Sequence, residues 1–237
     1  MVELETLSPE EKECLEDLFE YFSVFDSFHF TLFGSKPVSI AHLIPTDKIQ
    51  EGWKAWEKIA PLFHSENFVI RKYTFRGKDD WVLVANLVEV EKVYKANQTI
   101  FDQVCGRHIT AEEFKRCLKE ESPLFQTLIE SHLATGILLG YGTRNAQLFA
   151  ENQQLPKEKK YPLSHFSSLP PIVYWFSCAP PPYFACDPNS DETEELRKRY
   201  KRERAAIVQL TKKEPLYITM LKRLKNESVV SFAQNER

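Results

Sequence analysis

The sequence predicts an α+β fold in which an antiparallel sheet lies in the N-terminal half, is covered by helices, and is followed by a basic C-terminal helix. β-prone runs cluster before residue 90, and the connections between them are too short for crossover helices. Helical periodicity flanks this region, over residues 8–25 and from 89 to about 154. With 43% hydrophobic and 13% aromatic residues, the chain of 237 residues can fill a sizeable core with rigid rings.

The first helix has a clear start. Ser8 is suited to the N-cap, Pro9 to the first helical position, and Glu11 to the reciprocal bond of a capping box. Apolar residues then recur at helical spacing as far as Phe25, which indicates a wide buried face. A second short helix, opened by the loop at residues 45–47, is predicted through Trp53, Trp56 and Ile59.

Two hairpins are predicted. Alternating residues over 28–33, a turn at 34–37 and a partner run at 38–41 suggest the first. In the second, residues 68–75 and 81–87 flank a polar turn.

After residue 89 the pattern is helical, with a cap at Thr110 and a helix from Ser122 that extends through Ile137. The glycines at 140 and 142 interrupt it, and a further helix is predicted through Phe149.

Prolines make residues 155–190 irregular, although Ile172–Phe176 is expected to add a strand to the sheet. The aromatic residues around Pro180–Pro182 are expected to be buried. From residue 191 the chain is highly charged and helical. We therefore expect one α+β domain over 1–190 and a basic helical extension over 191–237, which either packs against the domain or projects from it.

A glycine cluster marks the best candidate site, since three of the seven glycines lie within residues 136–142. The dinucleotide-binding pattern fails here, because Asn145 stands where the third glycine should be and no acidic residue follows about 20 positions later. A helix end with a left-handed glycine is the simpler interpretation. Tyr141, Arg144 and Asn145 would then lie near a helix N-terminus, which favours an anionic ligand group, and they are the predicted ligand-binding residues.

The C-terminal segment carries the second signal. Between residues 197 and 225, eleven basic residues face two acidic ones, and the remainder of the chain is correspondingly acidic, since the net charge is −3. A solvated helix face and a docking surface for an acidic protein both fit this pattern. Nucleic acid is disfavoured because stacking aromatic residues are scarce in the helix. The predicted partner-binding residues are Arg197, Arg199 and Arg202.

No catalytic or cofactor motif is present in the sequence. Cys105, His108 and Cys117 offer three zinc ligands without an obvious fourth, so no metal and no cofactor are predicted. A nucleophilic pair of Cys105 with His108 or His132 would need a tertiary approach that sequence does not show. Reduced, buried thiols are the expected state of the five cysteines.

The N-terminus lacks the basic and then apolar layout of a secretory signal, and no apolar run approaches the ~20 residues that span a bilayer. A cytoplasmic protein without a membrane span is therefore expected. Two segments, 32–39 and 136–149, resemble stretches in uncharacterised proteins of chlamydia-like intracellular bacteria. This resemblance implies a bacterial protein, for which delivery into a host cell is an alternative destination, and it transfers no functional residue.

Two functions from different classes follow. The first is a non-enzymatic protein-interaction domain that uses the basic C-terminal helix. The alternative is an enzyme or a small-anion binder with a pocket at the Gly136–Asn145 turn. The sequence assigns neither catalytic residues nor an oligomeric state.

Overall fold

The computed structural model describes residues 5–63, 65–75, 77, 79–166, 180–212 and 214–225. Its helices and strands are α1 (Pro9–Asp26), α2 (Phe28–Phe33), β1 (Val38–His42), α3 (Asp47–Ile59), β2 (Phe68–Phe75), β3 (Asp79–Asn86), α4 (Leu87–Cys105), α5 (Ala111–Lys119), α6 (Pro123–Glu130), α7 (His132–Leu138), α8 (Thr143–Gln154), β4 (Ser164–His165), β5 (Ala185–Cys186), α9 (Asp191–Thr211) and α10 (Leu216–Leu224). The predicted α+β class is confirmed.

The central sheet has the order β1-β3-β2, and both pairings are antiparallel. Successive side chains of a strand point to opposite faces. From Val82 to Ala85 of β3 both sets are fully buried, with Val82 and Val84 in one core and Leu83 and Ala85 in another. The sheet therefore lies between two layers of helices, which explains why its central strand is a continuous apolar run.

The two layers come from different parts of the chain. On one face, α1, α2 and α3 pack together with α9 and α10. On the other face, α4 to α8 form the second core. From the basic segment, Leu196, Tyr200 and Ile207 of α9 and Met220 and Leu221 of α10 are all buried in the first core. The basic helix thus packs against the body of the protein, while the boundary at residue 190 stays a prediction.

The predicted helix caps are present. At the start of α1, the Glu11 amide donates to Ser8 Oγ and the Ser8 amide to Glu11 Oε2, which completes the capping box. The same reciprocal pair joins Thr110 and Glu113 at α5.

The second predicted hairpin is confirmed, with Phe75 opposite Asp79 at its turn.

The first predicted hairpin is wrong, because residues 28–33 form the helix α2. All six of its side chains are buried, including those of His29 and Thr31, so the apparent alternation reflects burial on every side. Ser27, in the left-handed conformation at φ 56°, ends α1 and lets α2 begin at once. The strand that follows, β1, pairs instead with β3.

The single helix predicted from Ser122 through Ile137 is also wrong, because it breaks at Ser131. The Ser131 hydroxyl caps α7 by accepting from the Ala134 amide, and the Thr135 hydroxyl donates to the carbonyls of Leu128 and Ile129 at the end of α6. These side-chain bonds satisfy backbone groups that the break exposes.

The predicted strand at 172–176 lies outside the described residues. Of the rings around Pro180–Pro182, Phe184 is buried as expected. Tyr183 is 42% exposed, so burial was wrong for that residue, and Trp175 and Phe176 are not described.

Candidate functional site

The glycine cluster forms the turn between α7 and α8. Gly140 follows the end of α7 with φ 76°, and Gly142 precedes α8 with φ 89°. Both values lie in the region that residues with a Cβ rarely adopt. The predicted helix end with left-handed glycines is therefore confirmed.

Two of these glycines also permit close packing. A Cβ on Gly136 would lie 2.8 Å from the Ala146 Cβ, so this glycine lets α7 and α8 approach each other. A Cβ on Gly140 would lie 2.6 Å from the Tyr200 hydroxyl of α9. That hydroxyl instead donates a hydrogen bond of 2.9 Å to the Gly140 carbonyl. The turn between α7 and α8 therefore packs closely against α9, the basic helix.

The N-terminus of α8 is capped by a carboxylate of the same chain. Glu192, in the first turn of α9, accepts from the amides of Thr143 at 2.8 Å, Arg144 at 3.0 Å and Asn145 at 3.2 Å. Free amides at a helix start favour an anion. The helix N-terminus at which an anionic ligand group was expected is therefore occupied by the Glu192 side chain of the same chain.

The three predicted ligand-binding residues have different surroundings. Asn145 is fully buried, donates to the Tyr141 carbonyl at 2.9 Å, and accepts from the Asp187 amide at 2.9 Å. The Tyr141 ring stacks on Phe184 at 4.3 Å, and burial raises the Tyr141 pKa. Arg144 is exposed. Asn145 and Tyr141 hold the turn against residues 184–187 by these contacts.

A groove of about 570 Å³ lies beside this turn, between α4 and α9, and we call it the α4–α9 groove. Its α9 wall is formed by Glu192, Glu195, Leu196, Arg199 and Arg202, which recur at helical spacing on one face, and by Lys198. The opposite wall is from α4, and the loop at residues 35–37 closes one side. From the Gly136–Asn145 segment, the residues that line the groove are Ile137, Gly140, Gly142 and Thr143, and Arg144 is not one of them.

Charged residues of both signs line the groove. Of its acidic residues, Glu192 is bound to the α8 amides, and Glu89 accepts from Lys92 at 2.7 Å. Lys198, 68% exposed in its side chain, lies 3.9 Å from Glu194. Arg199, Arg202 and Lys198 form a basic end of the groove, roughly one to three helical turns beyond Glu192 and Glu195 along α9.

Polar atoms without partners lie beneath this basic end. Among the described residues, Arg199 Nε, Glu203 Oε2 and Ser35 Oγ are buried and have no hydrogen bond of acceptable geometry. The Glu203 carboxylate lies directly against the Gly34 backbone. Burial raises the Glu203 pKa, while the nearby Ser35 and Arg199 oppose that shift. Buried polar groups without a partner are rare and costly, so this cluster marks an unusual environment.

The predicted partner-binding residues are not equivalent. Arg197 is turned toward its own protein, with its Nη2 3.9 Å from Cys186 Sγ and its guanidinium 5.8 Å from the Phe166 ring. Arg199 lines the groove and lies 5.1 Å above the Tyr200 ring. Arg202 is exposed where it lines the groove. The groove thus unites two signals that the sequence presents separately, the glycine turn and the basic helix.

Sequence reasoning missed Glu192, Lys92, Ser35 and Glu203. The spacing of Glu192 relative to Arg199 could have placed the two on one helix face. Nothing local identifies Ser35, because it meets α9 only through the tertiary fold.

The cysteine and histidine candidates do not form a reactive site. Burial raises the pKa of Cys117 to about 12, and it raises the pKa of Cys105 as well. His108 lies 2.8 Å from Asp102, and His132 packs edge-on against Phe149 at 5.7 Å. Thiols with a raised pKa are poor nucleophiles. Cys117 and Cys186 are buried as expected, whereas Cys14 and Cys105 are only half-buried and Cys178 lies outside the described residues.

Within the described ranges, no group of three or more His, Cys, Asp or Glu residues is arranged to hold a metal ion. Over the same residues, no helix has the length and apolar character needed to cross a membrane. Comparison of the chain with family models, with curated proteins and with solved structures finds no match. The resemblance to proteins of chlamydia-like bacteria stays a prediction, and a function has to be argued from the groove itself.

Proposed function

We propose that the protein binds a small anionic ligand in the α4–α9 groove. The observation that carries this proposal is the convergence of Arg199, Arg202 and Lys198 at one end of a concave site of about 570 Å³. This volume is in the usual range for sites that take metabolite-sized molecules, roughly 300–1,000 Å³. Arginine suits carboxylate and phosphate groups because its planar fork donates two parallel hydrogen bonds.

The rest of the groove defines the body of the ligand. Apolar side chains of Val93, Ala96, Ile137 and Leu196 contribute to its walls, together with Pro37. Burial of apolar surface would add to the affinity that the arginines provide. The ligand is accordingly a molecule with one phosphate or carboxylate group and an apolar or planar body.

The proposal is for binding and includes no catalysis. Among the described residues that line the groove there is neither a histidine nor a cysteine. Two of its three carboxylates, Glu89 and Glu192, already accept strong hydrogen bonds. A general acid or base needs a free group within reach of a ligand proton, and the geometry around these two carboxylates does not offer one.

The test is a screen of pyrophosphate, mononucleotides and aliphatic carboxylates by thermal stabilisation, followed by calorimetry. Ligands that bind only the folded state raise its melting temperature. Replacing Arg199 and Arg202 together by Ala should weaken binding by about 100-fold or more, since hydrogen bonds to charged groups contribute about 1.5–3 kcal/mol each.

The matched control is Lys201→Ala, which removes one positive charge from an exposed position of α9 outside the groove lining. The anion affinity of Lys201→Ala should stay within about twofold of that of the wild type, because screened surface charges contribute little to binding. Equal binding by the double variant and the wild type would refute the proposal, and so would the failure of every anion to bind.

A protein partner with an acidic surface is the second candidate. The exposed positions of Lys198, Lys201 and Arg202 on α9 favour it. Lys201→Glu separates the two candidates, because a docked acidic surface would be repelled by this reversal, whereas a small anion in the groove would be little affected. A pull-down that recovers the same partner with this variant as with the wild type would count against docking on α9.

A further inference from the structure

We infer that a second pocket beside the glycine turn binds a small neutral molecule built on one aromatic ring. This pocket is lined by residues of α7, α8 and the turn between them, from His132 to Phe149, and by residues 183–185, and we call it the α7–α8 pocket. No described residue lines both this pocket and the α4–α9 groove. The inference therefore goes beyond the proposed function and does not depend on it.

The size of the α7–α8 pocket suits a single ring. Its volume is about 200 Å³. An apolar cavity of about 150 Å³ is enough to hold benzene, whereas sites for larger metabolite-sized ligands usually have roughly 300–1,000 Å³. The pocket can therefore take one six-membered ring with a short substituent.

Aromatic rings form much of the pocket wall. Tyr141 stacks on Phe184 with ring centroids 4.3 Å apart and planes 13° apart. His132 meets Phe149 edge-on at 5.7 Å. Because aromatic rings attract one another in stacked and edge-on arrangements, a ring bound here gains more than an aliphatic group of similar size.

Two rings at the rim of the pocket are exposed to solvent. Phe149 is 36% exposed and Tyr183 is 42% exposed. Single exposed apolar side chains are ordinary on a protein surface, but these two line the same concave site. A ring seated between them would remove apolar surface of both from water, which favours binding.

The lining favours an uncharged ligand. Among the described residues of the pocket there is no Lys, Arg, Asp or Glu. The Thr135 hydroxyl donates to the carbonyls of Leu128 and Ile129, and the Asn145 amide donates to the Tyr141 carbonyl. A charge buried without a partner is costly, so a carboxylate or an ammonium group would bind poorly here. Tyr141 and Asn145, which the sequence predicts as ligand-binding residues, thus line a pocket that suits a neutral ring better than an anion.

The experiment titrates the full chain with benzyl alcohol, benzoate and cyclohexylmethanol, and follows the amide resonances of Gly136 and Ala146 by NMR. Benzyl alcohol should bind with a Kd of about 1 mM or tighter, as an efficient ligand of its size does. Benzoate has the same ring with a negative charge and should bind at least about tenfold more weakly. Cyclohexylmethanol has no aromatic ring and should bind at least about threefold more weakly, although it is more hydrophobic.

Variants of Phe149 test the ring at the rim. Phe149→Ala should weaken benzyl alcohol binding by about tenfold, whereas Phe149→Tyr keeps the ring and should stay within about threefold of the wild type. Tyr183→Ala removes the second rim ring and should also weaken binding, which gives an independent reading if Phe149→Ala does not fold. Phe25→Ala is the matched control, because Phe25 is 50% exposed and lies outside the pocket. Its affinity for benzyl alcohol should equal that of the wild type.

The double variant of Arg199 and Arg202 to Ala separates this pocket from the α4–α9 groove. Neither arginine lines the pocket, so the double variant should bind benzyl alcohol as the wild type does. Loss of binding in this variant would place the ring in the α4–α9 groove and overturn the inference. Absence of benzyl alcohol binding, equal affinities for the three probes, or unchanged affinity in both rim variants would overturn it as well. None of these results decides whether the α4–α9 groove binds anions, so the proposed function is tested separately.

Discussion

Replacing Glu192 by Ala removes the carboxylate that joins α9 to α8. Its two oxygens accept from the amides of Thr143, Arg144 and Asn145 over 2.8–3.3 Å. A hydrogen bond to a charged group contributes about 1.5–3 kcal/mol, and a charge at a helix terminus contributes about 0.3–1 kcal/mol. The three bonds share one side chain and are not additive, and Glu192 is only half-buried, so the free energy of unfolding should fall by about 2–4 kcal/mol.

Denaturant unfolding near neutral pH measures this loss, and thermal unfolding provides a second reading. For a chain of this length, each kcal/mol corresponds to about 2–4 °C, so the melting temperature should fall by about 4–16 °C. Glu194→Ala is the matched control. Glu194 lies in the same first turn of α9, but its side chain is 56% exposed, and its ion pairs with Arg197 and Lys198 are long, at 3.9 Å. Glu194→Ala should lower the free energy of unfolding by less than about 0.5 kcal/mol. If the two variants lose the same stability, the Glu192 cap does not contribute as argued.

Two further predictions concern backbone strain and acid stability. Gly140→Ala should destabilise the fold by more than Gly77→Ala, because both positions have positive φ but only Gly140 is close to another group, the Tyr200 hydroxyl. We expect about 1 kcal/mol at Gly77 and about 2–4 kcal/mol at Gly140 in denaturant unfolding, and equal losses would contradict the packing argument. Burial lowers the pKa of His29 from its ordinary value of 6.5 to about 3, so the unfolded chain binds a proton that the folded chain refuses. Stability should therefore fall as the pH drops from 6.5 toward 3, by up to about 1.4 kcal/mol per pH unit, and His29→Phe should lose less over that window. Parallel pH profiles for His29→Phe and the wild type would rule out this histidine as the cause.

The fold class and the starts of several helices could be predicted from sequence because their determinants are local. The capping box of Ser8 and Glu11 and the glycine at the end of α7 are each fixed by a few neighbouring residues. The helix at 28–33 could not be predicted, because its pattern is the same whether alternate residues or all residues are buried. Only packing against α9 and α10 distinguishes the two cases.

Only the parts of the candidate site that depend on local sequence could be predicted. The glycine turn and the arginines of α9 were both recognised, but 60 residues of sequence separate Gly140 from Tyr200, and their contact is purely tertiary. Helix electrostatics led to the expectation of an anionic ligand at the α8 N-terminus, and no rule of sequence could show that Glu192 binds the amides there instead.

The contacts between α9 and the glycine turn also determine whether the groove forms. One wall of the groove belongs to α9, and α9 is held against the turn by Glu192 at its start and by the Tyr200 hydroxyl two turns later. Variants of these two residues should therefore weaken anion binding and stability together, because they release the wall. Arg202→Ala should weaken binding by more than its effect on stability accounts for, since its side chain lines the groove. Plotting the anion affinity against the free energy of unfolding for the Glu192, Tyr200 and Arg202 variants tests whether the two quantities change together. If Glu192→Ala lost stability but bound anions as the wild type does, α9 would not depend on the cap for its position.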